Sequence, residues 1–170
     1  MNLLDIVNGA SVFIDANILV YAAERRSPQC RQLLERCDTE AVYAFSSVIA
    51  LGELCHRRML NEAKETGLIS GGNPARLLGE KRDVIPQLTI YAENVRALLD
   101  STITFEPVHP QDFYVALELQ KQHGLLTNDS LNLAIAKRLG IQGIATADAN
   151  FDRVQGLIVY KPADINPAIQ

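Results

Sequence analysis

The sequence lacks long apolar runs and has few cysteines. None of its uninterrupted apolar stretches approaches the ~20 residues that a membrane-spanning helix needs. The N-terminus lacks the basic start and apolar run of a signal peptide. The three cysteines, Cys30, Cys37 and Cys55, match neither a zinc knuckle nor a Cys-x-x-Cys redox motif. We therefore expect a cytoplasmic protein that does not contact a membrane.

An excess of positive charge is also missing. Sixteen Lys and Arg residues against twenty Asp and Glu residues give a formal net charge of −4, so no overall field attracts nucleic acid. Short basic pairs such as Arg57-Arg58 could still meet phosphate groups locally. The sequence has no Gly-x-x-x-x-Gly-Lys phosphate loop, which disfavours a nucleotide triphosphatase. Charge alone therefore neither favours nor excludes a nucleic-acid partner.

The sequence does contain short apolar strands that alternate with amphipathic helices. Strands are predicted at residues 12–14, 41–45, 102–108, 141–147 and 157–160. Helices are predicted at residues 18–23, 28–37, 48–64, 86–99, 110–123 and 129–139. Ser27-Pro28 marks the start of the second helix, and Ser46 or Ser47 can cap the third. Because helices separate most of the strands, the pattern predicts a three-layer α/β/α sandwich with a mainly parallel central sheet.

The length of 170 residues fits one domain, which is predicted to occupy residues 1–160. A glycine-rich segment at about residues 65–82 interrupts the periodic pattern and is predicted to be a loop. Residues 161–170 are expected to form a poorly ordered C-terminal tail.

Four acidic residues stand where a strand ends or a helix begins. Asp15 follows the first strand and Asp148 ends the fourth. Glu53 lies about two turns into the third helix, and Asp129 lies in the first turn of its helix. The carboxyl ends of parallel strands meet at one edge of the sheet, where open α/β sheets bind ligands. We therefore expect the four side chains to converge.

Convergence of carboxylates has an electrostatic cost. Two unit charges ~4 Å apart repel by about 4 kcal/mol at an effective dielectric constant of ~20. Such repulsion raises carboxyl pKa values unless a cation lies between the groups. A site with only oxygen ligands favours Mg²⁺ or Mn²⁺ over zinc or copper. Because such a cation activates water and polarises phosphoryl oxygens, the predicted chemistry is hydrolysis of a phosphodiester bond.

Single acidic residues have simpler explanations. Asp129 and Asp152 could serve only as helix caps. The Glu53-x-x-His56 spacing occurs in di-iron proteins, but these need two such motifs on a helical bundle. A signalling phospho-acceptor domain would need an acidic pair near its start, where this chain has Asp15 alone. The four acids taken together favour the metal site.

Four motifs resemble those of the PIN domain family, in the family's order and over about residues 11–160. They are Asp15-Ala-Asn17-Ile-Leu-Val-Tyr21, Glu53-Leu, Asp129-Ser-Leu-Asn-Leu-Ala-Ile-Ala and Thr146-Ala-Asp148-Ala-Asn-Phe-Asp152. The resemblance implies a compact fold with a parallel sheet and an Mg²⁺- or Mn²⁺-dependent ribonuclease with RNA as substrate. It implies that the four acids, Asp15, Glu53, Asp129 and Asp148, bind metal and activate water.

The resemblance also implies supporting residues. Thr146 matches a hydroxyl residue that supports the acids, and Asn17 matches a polar residue beside the first acid. Asp152 matches a position that is acidic, and could bind metal, in only some members. Asn132, one helical turn after Asp129, is predicted to support the site or to contact the substrate.

Small single-domain members of this family are often VapC-like toxins, which form homodimers and pair with an antitoxin protein. The resemblance therefore implies the toxin of a type II toxin–antitoxin pair. The glycine-rich segment is longer than expected for the most compact toxins. Two alternatives stay open: a housekeeping RNA-processing nuclease, and a non-catalytic PIN-fold RNA-binding or scaffold protein.

Overall fold

A computed structural model of the chain describes residues 1–165, in which five strands form one sheet. The strands are β1 (Ser11–Ile14), β2 (Tyr43–Ser47), β3 (Thr104–Glu106), β4 (Gly143–Ala145) and β5 (Ile158–Tyr160). They lie in the order β3-β2-β1-β4-β5, and every neighbouring pair is parallel. The predicted parallel central sheet is confirmed.

Strand β1 lies at the centre of the sheet, and its sequence explains why. Val12, Phe13 and Ile14 are all fully buried, as expected for a strand covered on both faces. Chain connections run from β1 to β2 and β3 on one side, and β4 and β5 lie on the other side. The strand order therefore reverses at β1, and this switch creates a crevice at the carboxyl ends of β1 and β4.

Helices cover both faces of the sheet. The α-helices are α1 (Ala16–Ala23), α2 (Pro28–Asp38), α3 (Val48–Glu65), α4 (Pro74–Glu80), α5 (Ile90–Leu99), α6 (Pro110–His123) and α7 (Thr127–Arg138). Residues of α1, α2, α3 and α5 pack with Val12 and Ile14 in one apolar cluster. Residues of α6 and α7 pack with Phe13 in another. The predicted three-layer sandwich is confirmed. Among the described residues, no helix is both long and apolar enough to cross a membrane.

Local signals fix several helix ends where they were predicted. Ser27 caps α2 by accepting a hydrogen bond from the Cys30 amide (3.0 Å), and Pro28 is the first helical residue. Ser47 caps α3 in the same way through the Ala50 amide (3.0 Å). Gly124 ends α6 in the left-handed conformation (φ 68°) that favours glycine.

The glycine-rich segment differs from the prediction, because it contains helix α4. Asn73 caps this helix through the Arg76 amide (3.1 Å), and Leu78 is buried in a third small core with Ala63 of α3 and Leu88. The glycines around α4 led to the prediction of a loop. The helix forms because it packs on α3, and local helix propensity does not report such packing. Strand β2 also lies two residues later than predicted, and β3 and β4 are shorter than predicted.

The first part of the C-terminal tail is ordered by hydrogen bonds, contrary to the prediction. The Asp164 carboxylate accepts hydrogen bonds from the Ser27 hydroxyl (2.6 Å) and the Gln29 amide (2.9 Å). These bonds fix residues 161–165 against the start of α2. The rest of the predicted tail, residues 166–170, lies outside the described residues.

Candidate metal-binding site

Asp15 lies at the end of β1, in the crevice, and is only 5% exposed. Its Oδ1 accepts a hydrogen bond from the Ala16 amide (2.8 Å) at the start of α1. Its Oδ2 accepts from the Thr146 hydroxyl (2.7 Å) and from the Asn17 side-chain amide. These three donors fix the orientation of the carboxylate.

Thr146 and Asn17 join the ends of β1 and β4. The buried Thr146 Oγ1 accepts hydrogen bonds from the Asn17 side chain (3.1 Å) and the Asp148 amide (3.0 Å). Asn17 Oδ1 in turn accepts from the Ala147 amide (2.8 Å). The structure therefore places two of the three predicted supporting residues in direct contact with Asp15.

Asp148 follows β4 and caps a short 3-10 turn, residues Ala149–Arg153. Its Oδ1 accepts a hydrogen bond from the Asn150 amide (2.8 Å). Asp152 lies in the same turn, but its side chain is 52% exposed and forms an ion pair with Lys161. Asp148 acts on the charges of Asp15 and Asp129, whereas Asp152 is not among the charges that shift them and is paired with Lys161.

Glu53 and Asp129 reach the crevice from two helices. Glu53 is in the second turn of α3 and forms an i,i+4 ion pair with Arg57 (3.6 Å). Asp129 is the third residue of α7, which begins two residues earlier than predicted. Both side chains are partly exposed, whereas Asp15 is buried. The wall of the crevice is therefore open to solvent on the side of these two helices.

The pKa shifts show that the four carboxylates act on one another. Burial raises the pKa of Asp15 to about 6, against the hydrogen bonds from Thr146 and Ala16, and the charges of Glu53 and Asp148 raise it further. Burial likewise raises the pKa of Asp129 to about 7, and the charges of the other three acids add to the shift. The charges that act on Asp15 and Asp129 therefore come from the ends of β1 and β4 and from helices α3 and α7.

The donor set fits a hard divalent cation, although it is not preassembled. Within residues 1–165, no group of three or more Asp, Glu, His or Cys side chains is positioned to hold a metal ion as it stands. All four candidate ligands are nevertheless carboxylates, the donors that Mg²⁺ and Mn²⁺ prefer. Burial and the neighbouring negative charges raise the pKa values of Asp15 and Asp129, and a cation among the acids would relieve the second of these causes.

A hydrogen bond that sequence reasoning missed joins two of the helices that carry the acids. The Ser47 hydroxyl donates to Asn132 Oδ1 (2.6 Å), and Asn132 is 1% exposed. Ser47 also caps α3, so a single hydroxyl links the start of α3 to α7. The sequence indicated Ser47 only as a cap. The buried position of Asn132 suits support of the site rather than contact with a substrate.

Comparison with known proteins decides the family. The PIN domain family model matches residues 12–157, most of the chain. The chain belongs to the PIN domain family. This confirms the resemblance inferred from the four ordered motifs. No curated protein sequence matches this PIN domain.

Solved structures of low sequence identity share the fold of this PIN domain. VapBC2 from Rickettsia felis bound to a DNA fragment from their promoter aligns with a TM-score of 0.58 and 18% identity, over 89% of this chain and 98% of that chain. Mycobacterium tuberculosis VapC20, a sarcin-ricin loop cleaving toxin, aligns at 0.56 and 14%, over 92% and 99%. A toxin–antitoxin complex from Klebsiella pneumoniae aligns at 0.51 and 16%, over 86% and 95%.

Proposed function

We propose that this PIN domain is a divalent-metal-dependent endoribonuclease that hydrolyses phosphodiester bonds in RNA. The observation that carries the proposal is the group of four coupled carboxylates at the switch point of the sheet. Membership in the PIN family and the likeness to VapC20, a toxin that cleaves the sarcin-ricin loop, support it.

In this proposal, Mg²⁺ or Mn²⁺ is held by Asp15, Glu53, Asp129 and Asp148. When bound, the cation lowers the pKa of a coordinated water and polarises a phosphoryl oxygen. Asp15 contributes a carboxylate whose orientation is already fixed by the donors from Thr146, Asn17 and Ala16. This preorganisation reduces the cost of assembling the site.

The two partly exposed acids, Glu53 and Asp129, have an additional role. Glu53 and Asp129 line the solvent side of the crevice and orient the attacking water. The pKa of Asp129, raised to about 7 by burial and by its acidic neighbours, lies close to neutral pH. A cation bound among the acids would lower this pKa again, so Asp129 would release its proton on metal binding and would orient the attacking water as a carboxylate.

We further propose that the protein is the toxin of a type II toxin–antitoxin pair. The Klebsiella complex and the R. felis VapBC2 assembly, both similar in fold, support an antitoxin partner. Co-expression with the product of a neighbouring small reading frame tests this: suppression of cleavage and co-purification are expected. A chain that has no such neighbour and tolerates overexpression would be a housekeeping nuclease instead.

Helix α6 supports a homodimer. Phe113, Tyr114 and Leu117 are exposed on one side of this helix and, with Ile49 and Val108, line an apolar groove of about 630 Å³. Exposed apolar patches of this kind mark interaction surfaces. Sedimentation should show a dimer for the wild type and a monomer for Tyr114→Glu. A wild type that is monomeric at all concentrations contradicts the proposed dimer.

A cleavage assay tests the proposed chemistry. Labelled single-stranded RNA is incubated with Mn²⁺ and wild type, Asp15→Asn or Asp83→Asn, a control with the same substitution at an exposed aspartate outside the crevice. Metal activation accounts for several kcal/mol, so Asp15→Asn should cut the rate at least ~100-fold. Asp83→Asn should match the wild type. Equal cleavage by all three would contradict the mechanism, and absence of both cleavage and Mn²⁺ binding would favour the scaffold alternative.

A further inference from the structure

Two adjacent arginines on α3 have different environments. The side chain of Arg58 is 5% exposed and donates hydrogen bonds to Glu24 (3.2 Å) and Asn94 (3.2 Å). The side chain of Arg57 is 37% exposed and forms its ion pair with Glu53 at 3.6 Å, which is too long for a hydrogen bond. Arg58 is therefore committed to the fold, whereas Arg57 is held loosely beside the acids.

An exposed ion pair of this kind contributes little and is readily exchanged. Such pairs contribute roughly 0–1 kcal/mol in water, so Arg57 can leave Glu53 at small cost. Its guanidinium can then form two parallel charge-assisted hydrogen bonds to a phosphate, the strongest arrangement available to a basic side chain. Glu53, released from Arg57, becomes available to the cation.

The four carboxylates make a basic side chain such as Arg57 necessary for binding RNA. An RNA phosphate that enters the crevice approaches four carboxylates, and like charges at close range repel. Lys161 is paired with Asp152, and Arg138 forms ion pairs with Asp112 (3.0 Å) and Glu106 (3.2 Å). Arg57 combines partial exposure with direct contact to one of the four acids.

We propose that Arg57 is a phosphate-binding residue of this site, which exchanges Glu53 for a backbone phosphate of single-stranded RNA when substrate binds. The inference rests on the proposed ribonuclease function and adds a residue that reads the charge of the substrate rather than its sequence.

The chain provides a matched control for a test. Arg31 on α2 forms the same i,i+4 ion pair, with Glu35 at 3.9 Å, and is also exposed, but Glu35 is not one of the four acids. Wild type, Arg57→Ala, Arg57→Lys and Arg31→Ala are compared in RNA cleavage with Mn²⁺ over a series of KCl concentrations. Thermal melting checks that each variant is folded.

Arg57→Ala should raise KM roughly 10-fold or more, as expected for loss of a charged hydrogen bond, with a smaller effect on kcat. For single-stranded nucleic acid, the slope of log affinity against log salt changes by about 0.7 per phosphate contact. The slope for Arg57→Ala should therefore be shallower by about 0.7. Arg57→Lys should keep the wild-type slope at weaker affinity, and Arg31→Ala should behave as wild type.

Three outcomes overturn the inference. The first is an unchanged KM and salt slope in Arg57→Ala while the wild type cleaves RNA. The second is an equal change in Arg31→Ala, which would indicate a general charge effect. The third is tighter Mn²⁺ binding by Arg57→Ala with an unchanged slope, which would mean that Arg57 only neutralises Glu53. If the wild type itself fails to cleave RNA with Mn²⁺, the proposed function falls, and the inference with it.

Discussion

Helix α3 carries two acidic residues in opposite electrostatic settings. Glu53, near its start, faces the like charges of Asp15 and Asp129 and has only a long, exposed ion pair with Arg57 (3.6 Å). Glu62, near its end, is almost fully buried and accepts hydrogen bonds from the backbone amides of Thr89 (2.7 Å), Ile90 (3.0 Å) and Tyr91 (2.8 Å). These amides are at the start of α5, where a helix attracts negative charge.

The pKa values separate the two settings. Burial alone would raise the pKa of Glu62, but the three backbone donors and nearby Arg58 outweigh it, so the pKa is lowered. In the crevice, burial and neighbouring acids raise the pKa values of Asp15 and Asp129 instead. Burial therefore does not decide what an acidic residue does. An acidic residue with hydrogen-bond donors and a basic partner, such as Glu62, stabilises the fold. A group of acidic residues with too few such partners favours the binding of a cation.

The largest effect on stability is expected at the satisfied end of α3. Arg58→Leu removes a buried cation from Glu24 and from the surroundings of Glu62, so buried acids lose their compensating charge. We expect the free energy of unfolding to fall by about 3–5 kcal/mol, measured by urea denaturation. Arg31→Leu, which removes an exposed ion pair, should change it by less than about 0.5 kcal/mol. Equal small losses in both variants would remove the distinction between the two settings.

A smaller effect is expected at the crevice, where the charged acids should destabilise the metal-free protein. It is measured as the change in the free energy of unfolding with pH. Above the pKa near 3.8 that Asp15 has when unfolded, the unfolded chain loses this proton while the folded protein retains it up to a pKa of about 6. The folded state then binds more protons, so stability falls as pH rises through this window. The loss for Asp15 is on the order of 2–3 kcal/mol, and Asp129 extends the fall towards pH 7.

The measurement is the unfolding free energy in EDTA from about pH 4 to about pH 8. Wild type should lose stability over this range, and Asp15→Asn should lose less, because the substituted side chain does not titrate. Parallel curves for the two proteins would mean that the folded protein does not raise the pKa of Asp15. Added Mn²⁺ should flatten the wild-type curve, since a ligand that binds only the folded state stabilises it.

The smallest effect concerns the link between the acid-bearing helices. Ser47→Ala removes the cap of α3 and the hydroxyl that donates to the buried Asn132. Loss of such a cap costs about 1 kcal/mol, and an unsatisfied buried amide adds a similar amount. Thermal unfolding of Ser47→Ala and Ser47→Thr measures it, with Thr restoring most of the loss. A neutral Ser47→Ala would show that α3 and α7 are positioned by apolar packing alone.

Much of the fold could be predicted from local sequence. Short apolar runs followed by turn residues located the strands, and Ser27-Pro28 and Ser47 marked helix starts that the structure bears out. Helix α4 could not be predicted in the same way, because Leu78 gains its stability from contact with α3 residues that lie well before it in the chain. The ordering of residues 161–165 likewise depends on Ser27, which is 137 residues from Asp164.

The sequence predicted which acidic residues form the candidate site, but it did not predict the hydrogen bonds and ion pairs between distant residues that surround it. Acidic residues at strand ends indicated Asp15 and Asp148 because the topology of a parallel sheet fixes where such ends meet. The bond between Ser47 and Asn132 spans 85 positions, and no local pattern encodes it. Asp152 is paired with Lys161, the residue after β5, and the sequence of the 3-10 turn alone does not show this pairing.

Mn²⁺ calorimetry tests the central claim, that the four acids are a cation site in which burial and mutual repulsion keep Asp15 and Asp129 partly protonated until the cation binds. Titration at about pH 6.5 in buffers of different ionisation enthalpy gives the number of protons released. With pKa values of about 6 for Asp15 and about 7 for Asp129, binding should release about one proton per cation. Asp15→Asn should bind Mn²⁺ much more weakly. Binding without proton release, or equal binding by both proteins, would contradict the account.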